Sequence, residues 1–224
     1  MKEKSDTHST WTNLIQMAQS PTRSKQATAQ IPELLAARTE TIRAWLAEPI
    51  TKRFGTHLLI IFLGAGVYGA TLGLWRSPLQ ALFVAIKFPL ILLLTATFNA
   101  GLNGMVAQIL GLNIRFLDSF RLIVMSFATA ALILAGFSPL TLFALHNVPP
   151  LTDYSPAVRD VYSAILLVHV AAIAFAGIAA NVKLFQSLKS LSGDRAKAQF
   201  ILLAWLAGNL LLGGQFVWNL RPFI

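Results

Sequence analysis

Five runs of about twenty predominantly apolar residues, separated by short charged connections, follow one another between residues 57 and 218. A helix of about 20 apolar residues spans the roughly 30 Å hydrocarbon layer of a bilayer. Strands that cross a bilayer are about half that length and alternate in polarity, so these runs read as helices. The expected fold is therefore all-α: a polytopic membrane protein built as a five-transmembrane-helix bundle. The spans are read at about 57–75, 79–99, 120–140, 160–182 and 198–218. Composition agrees, with 55% hydrophobic and 12% charged residues and a mean hydropathy of +0.63, far from the balance of a soluble domain.

Thirteen of the twenty-seven charged residues precede residue 57. This divides the chain into a polar N-terminal segment, residues 1–56, and a five-span domain, residues 57–224. More than fifty polar residues lie ahead of the first apolar run, so no secretory signal is expected and insertion depends on the spans themselves. Eight Lys or Arg fall in the N-terminal segment, two (Arg115, Arg121) between spans two and three, and four (Lys183, Lys189, Arg195, Lys197) between spans four and five. Arg76, Arg159 and Arg221 fall on the other side, and Lys87 within a span. The basic bias of loops facing the cytoplasm predicts a cytoplasmic N-terminus and, with five spans, an external C-terminus. Topology and attraction to anionic lipid thus account for the net charge of +9. Nucleic acid is not an expected partner, because no interleaving of aromatic and basic residues accompanies the charge.

Two stretches of the N-terminal segment are amphipathic. In "STWTNLIQMA", Trp11, Leu14, Ile15 and Ala18 share one helical face behind Ser9 or Thr10 as N-cap. In "IPELLAARTETIRAWLAEP", Leu34, Leu35, Ile42, Trp45 and Leu46 lie on one arc, bracketed by Pro32 and Pro49. Such a helix either lies in the headgroup layer or packs on the protein's own loops.

Within the spans, two features stand out. Ala65, Gly69 and Gly73, thickened by Gly66, make a small-residue groove suited to close helix packing, against another span or a second copy. The second span reads "AIKFPLILLLTATFNAGLNG", with Lys87 and Pro89 in its apolar part. A lysine there costs about 2.5 to 3.5 kcal/mol on insertion scales, which predicts that its face turns inward. Pro89 frees the carbonyl of Ala85. Counted along ideal helices, Lys87 sits about 12 Å and His169 about 14 Å below the bilayer surface, with Asn209 near the same level. Lys87, Pro89, His169 and Asn209 are therefore expected to form one intramembrane polar cluster. It serves either as a proton- or anion-handling site or as hydrogen-bonded glue between spans, with Lys87 reaching toward Asp160. If the second span continued to Leu110 it would be about 48 Å long. It must then protrude, kink or lie back: "NAGLNG" favours a break, since Gly and Asn weaken a helix, and the stretch 100–114 either projects from the membrane as helix or re-enters it. Pro139 is expected to kink or end the third span.

The run "GAGVYGATLGLWRSPLQALFVAIKFPLILLLTATFNAGLNGMVAQILGLNIRFLDSFRLIVMSFATAALILAGFSP" resembles uncharacterised bacterial inner-membrane proteins related to the Yip (Ypt-interacting protein) group of five-span proteins. The resemblance covers roughly residues 43–221. It implies five spans, a bacterial inner-membrane location and a cytoplasmic N-terminus, and leaves the activity open. The chain has no HExxH, P-loop, GxSxG or CxxC pattern, and an enzyme is not expected. His8, His57, His146 and His169 lie at separated levels, so no metal centre or other cofactor is expected. The expectation is a non-enzymatic scaffold or accessory subunit of a membrane assembly, with membrane-protein partners or self-association. The alternative is a small transporter or channel with a polar path near Lys87, His169 and Asn209.

Overall fold

The computed structural model describes residues 31–32, 45–46, 48, 50–112, 114–148 and 156–219. The chain divides into two compact units, Met1–Ala36 and Ala37–Ile224, and all five long helices belong to the second. They are α1 (Ile50–Leu74), α2 (Pro78–Ile109), α3 (Phe116–His146), α4 (Pro156–Ser192) and α5 (Arg195–Asn219). Each is long and apolar enough to cross a membrane, and the described residues contain no strand. The protein is an all-α integral membrane bundle. The two amphipathic stretches of the N-terminal segment lie almost wholly outside the described residues.

The helix ends follow from local chemistry. Ser77 caps α2 by accepting the Gln80 amide at 3.0 Å, with Pro78 in the first turn where no N–H is needed. Gly111, at φ 76°, closes the other end: its amide reaches Gln108 O at 2.9 Å and the Leu112 amide reaches Ala107 O at 2.8 Å, a Schellman arrangement. Gly193, at φ 69°, ends α4 with its amide on Lys189 O. Asp194 then starts α5 by accepting the Ala196 amide at 2.8 Å.

Of the alternatives for the second and third spans, the structure takes the continuous ones. Helix α2 runs unbroken through Pro89 and through "NAGLNG" to Ile109, and α3 runs through Pro139 to His146. Tertiary packing outweighs propensity in "NAGLNG". Asn99, Ala100, Asn103, Gly104 and Ala107 are buried, and a Cβ on Gly104 would already stand 3.4 Å from the Phe116 ring. The small residues let α3 approach, while the asparagines turn toward α5. At 32 residues α2 is about 48 Å long, so in a bilayer it must tilt or project.

The buried side of α2 is shared lengthwise. Gln80, Ala81, Val84, Ala85 and Phe88 face α1, whereas Thr95, Asn99 and Asn103 face α5. Helix α3 packs against both α1 and α2, and α4 lies on α3, where the Phe137 and Phe175 rings meet edge to face at 5.8 Å. At the end of the bundle opposite the basic loops, Trp75 stacks on Tyr162 at 4.9 Å. That placement suits the interfacial aromatic belt.

Candidate functional site

The small-residue groove is filled from within the chain. An ideal Cβ on Gly69 would stand 2.7 Å from Val84 O, and one on Gly73 would stand 2.5 Å from Gln80 O and 2.7 Å from Ala81 Cα. Gly66 is looser, at 3.2 Å from Ala85 O, and Ala65 is fully buried. Gly64 meets a different helix, with Ala131 O at 2.7 Å. Side chains of any size are excluded at three of these positions, so α1 is wedged between α2 and α3 by backbone contact. In lipid, where apolar surface gains nothing by meeting apolar surface, such contact is what holds helices together. Gly64, Gly66 and Gly69 also read G-x-G-x-x-G. That spacing binds a pyrophosphate only at a strand-to-helix turn, where amides point outward. Here all three glycines lie inside a continuous helix, so the motif is a packing device.

The four residues of the expected polar cluster do not come together. His169 is buried on α4 and its Nδ1 pairs with the Tyr68 hydroxyl of α1 at 2.9 Å. The Tyr68 and His169 rings meet edge to face at 5.5 Å, in a core with Leu134, Ala172 and Ala176. Nearby, Thr141 of α3 donates to Thr71 of α1 at 3.1 Å. Asn209 of α5 instead accepts from Asn99 Nδ2 of α2. Asn99 lies twelve residues beyond Lys87, about 18 Å along the helix axis, so the lysine cannot reach Asn209. Pro89 is buried. Lys87 is half-buried at the edge of a lipid-facing side formed by Leu79, Phe83, Ile86, Leu90 and Leu94, rather than turned into the core. The Pro78 end of α2 and the Asn219 end of α5 are not level: Asn99 lies 21 residues from Pro78 and Asn209 ten from Asn219, yet the two meet, so the second half of α2 is set beside α5.

The α2–α5 seam is the polar feature that the expected cluster only touched. Besides the Asn99–Asn209 pair, Trp205 of α5 is fully buried and donates Nε1 to Asn103 O at 2.8 Å. Glycine stands on α5 where carboxamide meets helix: a Cβ on Gly208 would lie 2.8 Å from Asn99 Oδ1. The sequence signal is Thr95, Asn99 and Asn103 at four-residue spacing, which puts them on successive turns of one face.

A second polar node sits at the basic end. Arg53 pairs with Glu48 at 2.9 Å and lies 5.1 Å from the centre of the Trp45 ring, which in turn meets His57 at 5.6 Å. Arg121 donates to Leu46 O at 2.8 Å, and the Phe54 and Phe120 rings meet at 5.3 Å. These contacts tie Trp45, Leu46 and Glu48 to the ends of α1 and α3. Among the described residues there is no cluster of three or more His, Cys, Asp or Glu that could hold a metal ion. Comparison with protein-family models, with curated proteins and with solved structures gave no match.

Proposed function

We propose that this protein is a non-enzymatic accessory or scaffolding subunit of a membrane assembly, and that α5 is its contact surface. The observation that carries the reading is the uneven covering of the spans. Half of the apolar stretch of α1 and of α3 is buried, against 11% of that of α5. Ala198, Ile201 and Trp205 are the buried residues of α5, while Phe200, Leu203, Leu210, Leu211 and Val217 are exposed. Their spacing leaves an apolar stripe along the whole helix. The positive-inside bias supports a cytoplasmic N-terminus with both basic turns on the same side, and the sequence resemblance to the Yip group is the support for a bacterial inner membrane. Photo-crosslinking from Leu203 and Leu210 in native membranes tests the reading, with Phe83 of α2 as comparison. Protein adducts at the α5 positions support it. Adducts to lipid alone at all three positions count against it.

The α2–α5 seam favours a second reading, a small transporter or channel. A route through Lys87, His169 and Asn209 together is not what supports it, since those residues lie on separate helix contacts. The support is the row of carboxamides inside a span. Flux into reconstituted vesicles that vanishes in Asn99→Leu would favour it over the first.

A further inference from the structure

Hydroxyls and carboxamides inside these helices are normally satisfied locally. Thr97, Thr129, Ser138, Ser163 and Ser187 each donate to the carbonyl one turn earlier, and Asn147 and Asn181 do the same with their amides. This is the usual solution for such side chains in a helix without access to water. The face of α2 that meets α5 departs from it. Thr95, Asn99 and Asn103 are 4%, 0% and 2% exposed, yet Thr95 Oγ1, Asn99 Oδ1 and Asn103 Nδ2 have no hydrogen-bond partner among the described residues. Ser119 Oγ of α3, beside Gly104, is in the same condition.

The unmatched atoms are complementary to a specific chemistry. Asn99 Oδ1 can only accept, Asn103 Nδ2 can only donate, and the two hydroxyls can do either. A cation would meet the Asn103 amide hydrogens and an anion would meet the Asn99 oxygen. The nearest lysine on the helix, Lys87, is eight residues or about 12 Å from Thr95. Small neutral molecules that both donate and accept match all four, and since Thr95 and Asn103 stand eight residues or about 12 Å apart along α2, more than one is needed to reach the whole row. Size points the same way. A Cβ on Gly208 would stand 2.8 Å from Asn99 Oδ1 and 3.7 Å from Asn103 Oδ1, and one on Gly213 would stand 3.8 Å from Thr95 Oγ1, so α5 closes tightly over the row. We propose that Thr95, Asn99, Asn103 and Ser119 hold a row of buried waters in the seam between α2, α3 and α5. Buried water with two to four polar partners is the ordinary means of satisfying such groups. The proposal holds whether α5 meets a partner or lipid.

Trp205 reports on this site, because its indole N–H donates to the backbone of Asn103. The full chain, labelled with ¹⁵N-indole tryptophan in lipid nanodiscs, is measured by water-to-protein magnetisation transfer, with Trp205→Phe assigning the signal. The expected result is strong transfer to the Trp205 indole despite its burial, falling several-fold in Asn103→Leu or, where that variant does not fold, in Thr95→Val. Absence of transfer in the unaltered protein overturns the proposal. So does transfer that is unchanged in a folded variant, since water would then reach Trp205 by another route.

Discussion

Alanine at Gly73 tests how the first two helices are joined. Its Cβ would stand 2.5 Å from Gln80 O and 2.7 Å from both N and Cα of Ala81, closer than non-bonded atoms approach, and every neighbour named is backbone. No rotamer change can relieve the contact, so α1 and α2 must separate. Over-packing of this kind costs about 1–3 kcal/mol, with more when backbone must move. The opposing gain is small, because alanine improves helix propensity over glycine by about 0.5–1 kcal/mol. Gly136 of α3 is the control, since nothing lies within 4 Å of a Cβ placed there and propensity acts alone. Thermal unfolding in mild detergent should show Gly73→Ala destabilised by about 1–3 kcal/mol and Gly136→Ala unchanged or slightly stabilised. Gly66→Ala, with a single contact at 3.2 Å, should fall between them. Equal stabilities for the Gly73 and Gly136 variants would refute the backbone wedge.

Three further outcomes follow from the polar contacts. Tyr68→Phe removes the partner of His169 Nδ1 in a buried site and should cost about 1–3 kcal/mol in the same unfolding measurement, with the cost shrinking when His169→Leu is also present. A double-mutant cycle on Asn99 and Asn209, each changed to Ala, should return a coupling of about 0.6 kcal/mol and no more than about 2, the range for interhelical hydrogen bonds in bilayers. Arg121→Ala removes the donor to Leu46 O, and limited proteolysis should then cut nearer residue 48 and faster than in the unaltered chain.

The number of spans and their identity were legible because length and hydropathy suffice for them, as the row from His57 to Trp218 shows. Length was also what misled. Asn99 and Gly101 weaken an isolated helix, so the second span was ended near residue 99, but their neighbours across the bundle reverse the preference. The site was missed for another reason: depth was counted from the outer ends near residues 79 and 218, both close to the observed ends, but those ends are not level, so Asn209 meets Asn99 instead of Lys87. The Tyr68–His169 contact could not be read from sequence at all, since it depends on how α4 is rotated against α1 and α3. The Thr95–Asn99–Asn103 spacing was readable, and would have identified the seam had the helix been carried past residue 99.

The central claim is that the polar residues of the spans occupy two separate helix contacts, with α5 set against the second half of α2. The chain has no cysteine, so paired cysteine substitutions report proximity without background. Oxidative crosslinking in membranes should join Asn99→Cys to Asn209→Cys and leave Lys87→Cys with Asn209→Cys unjoined. Crosslinking of the Lys87 pair, with none for the Asn99 pair, would contradict the account.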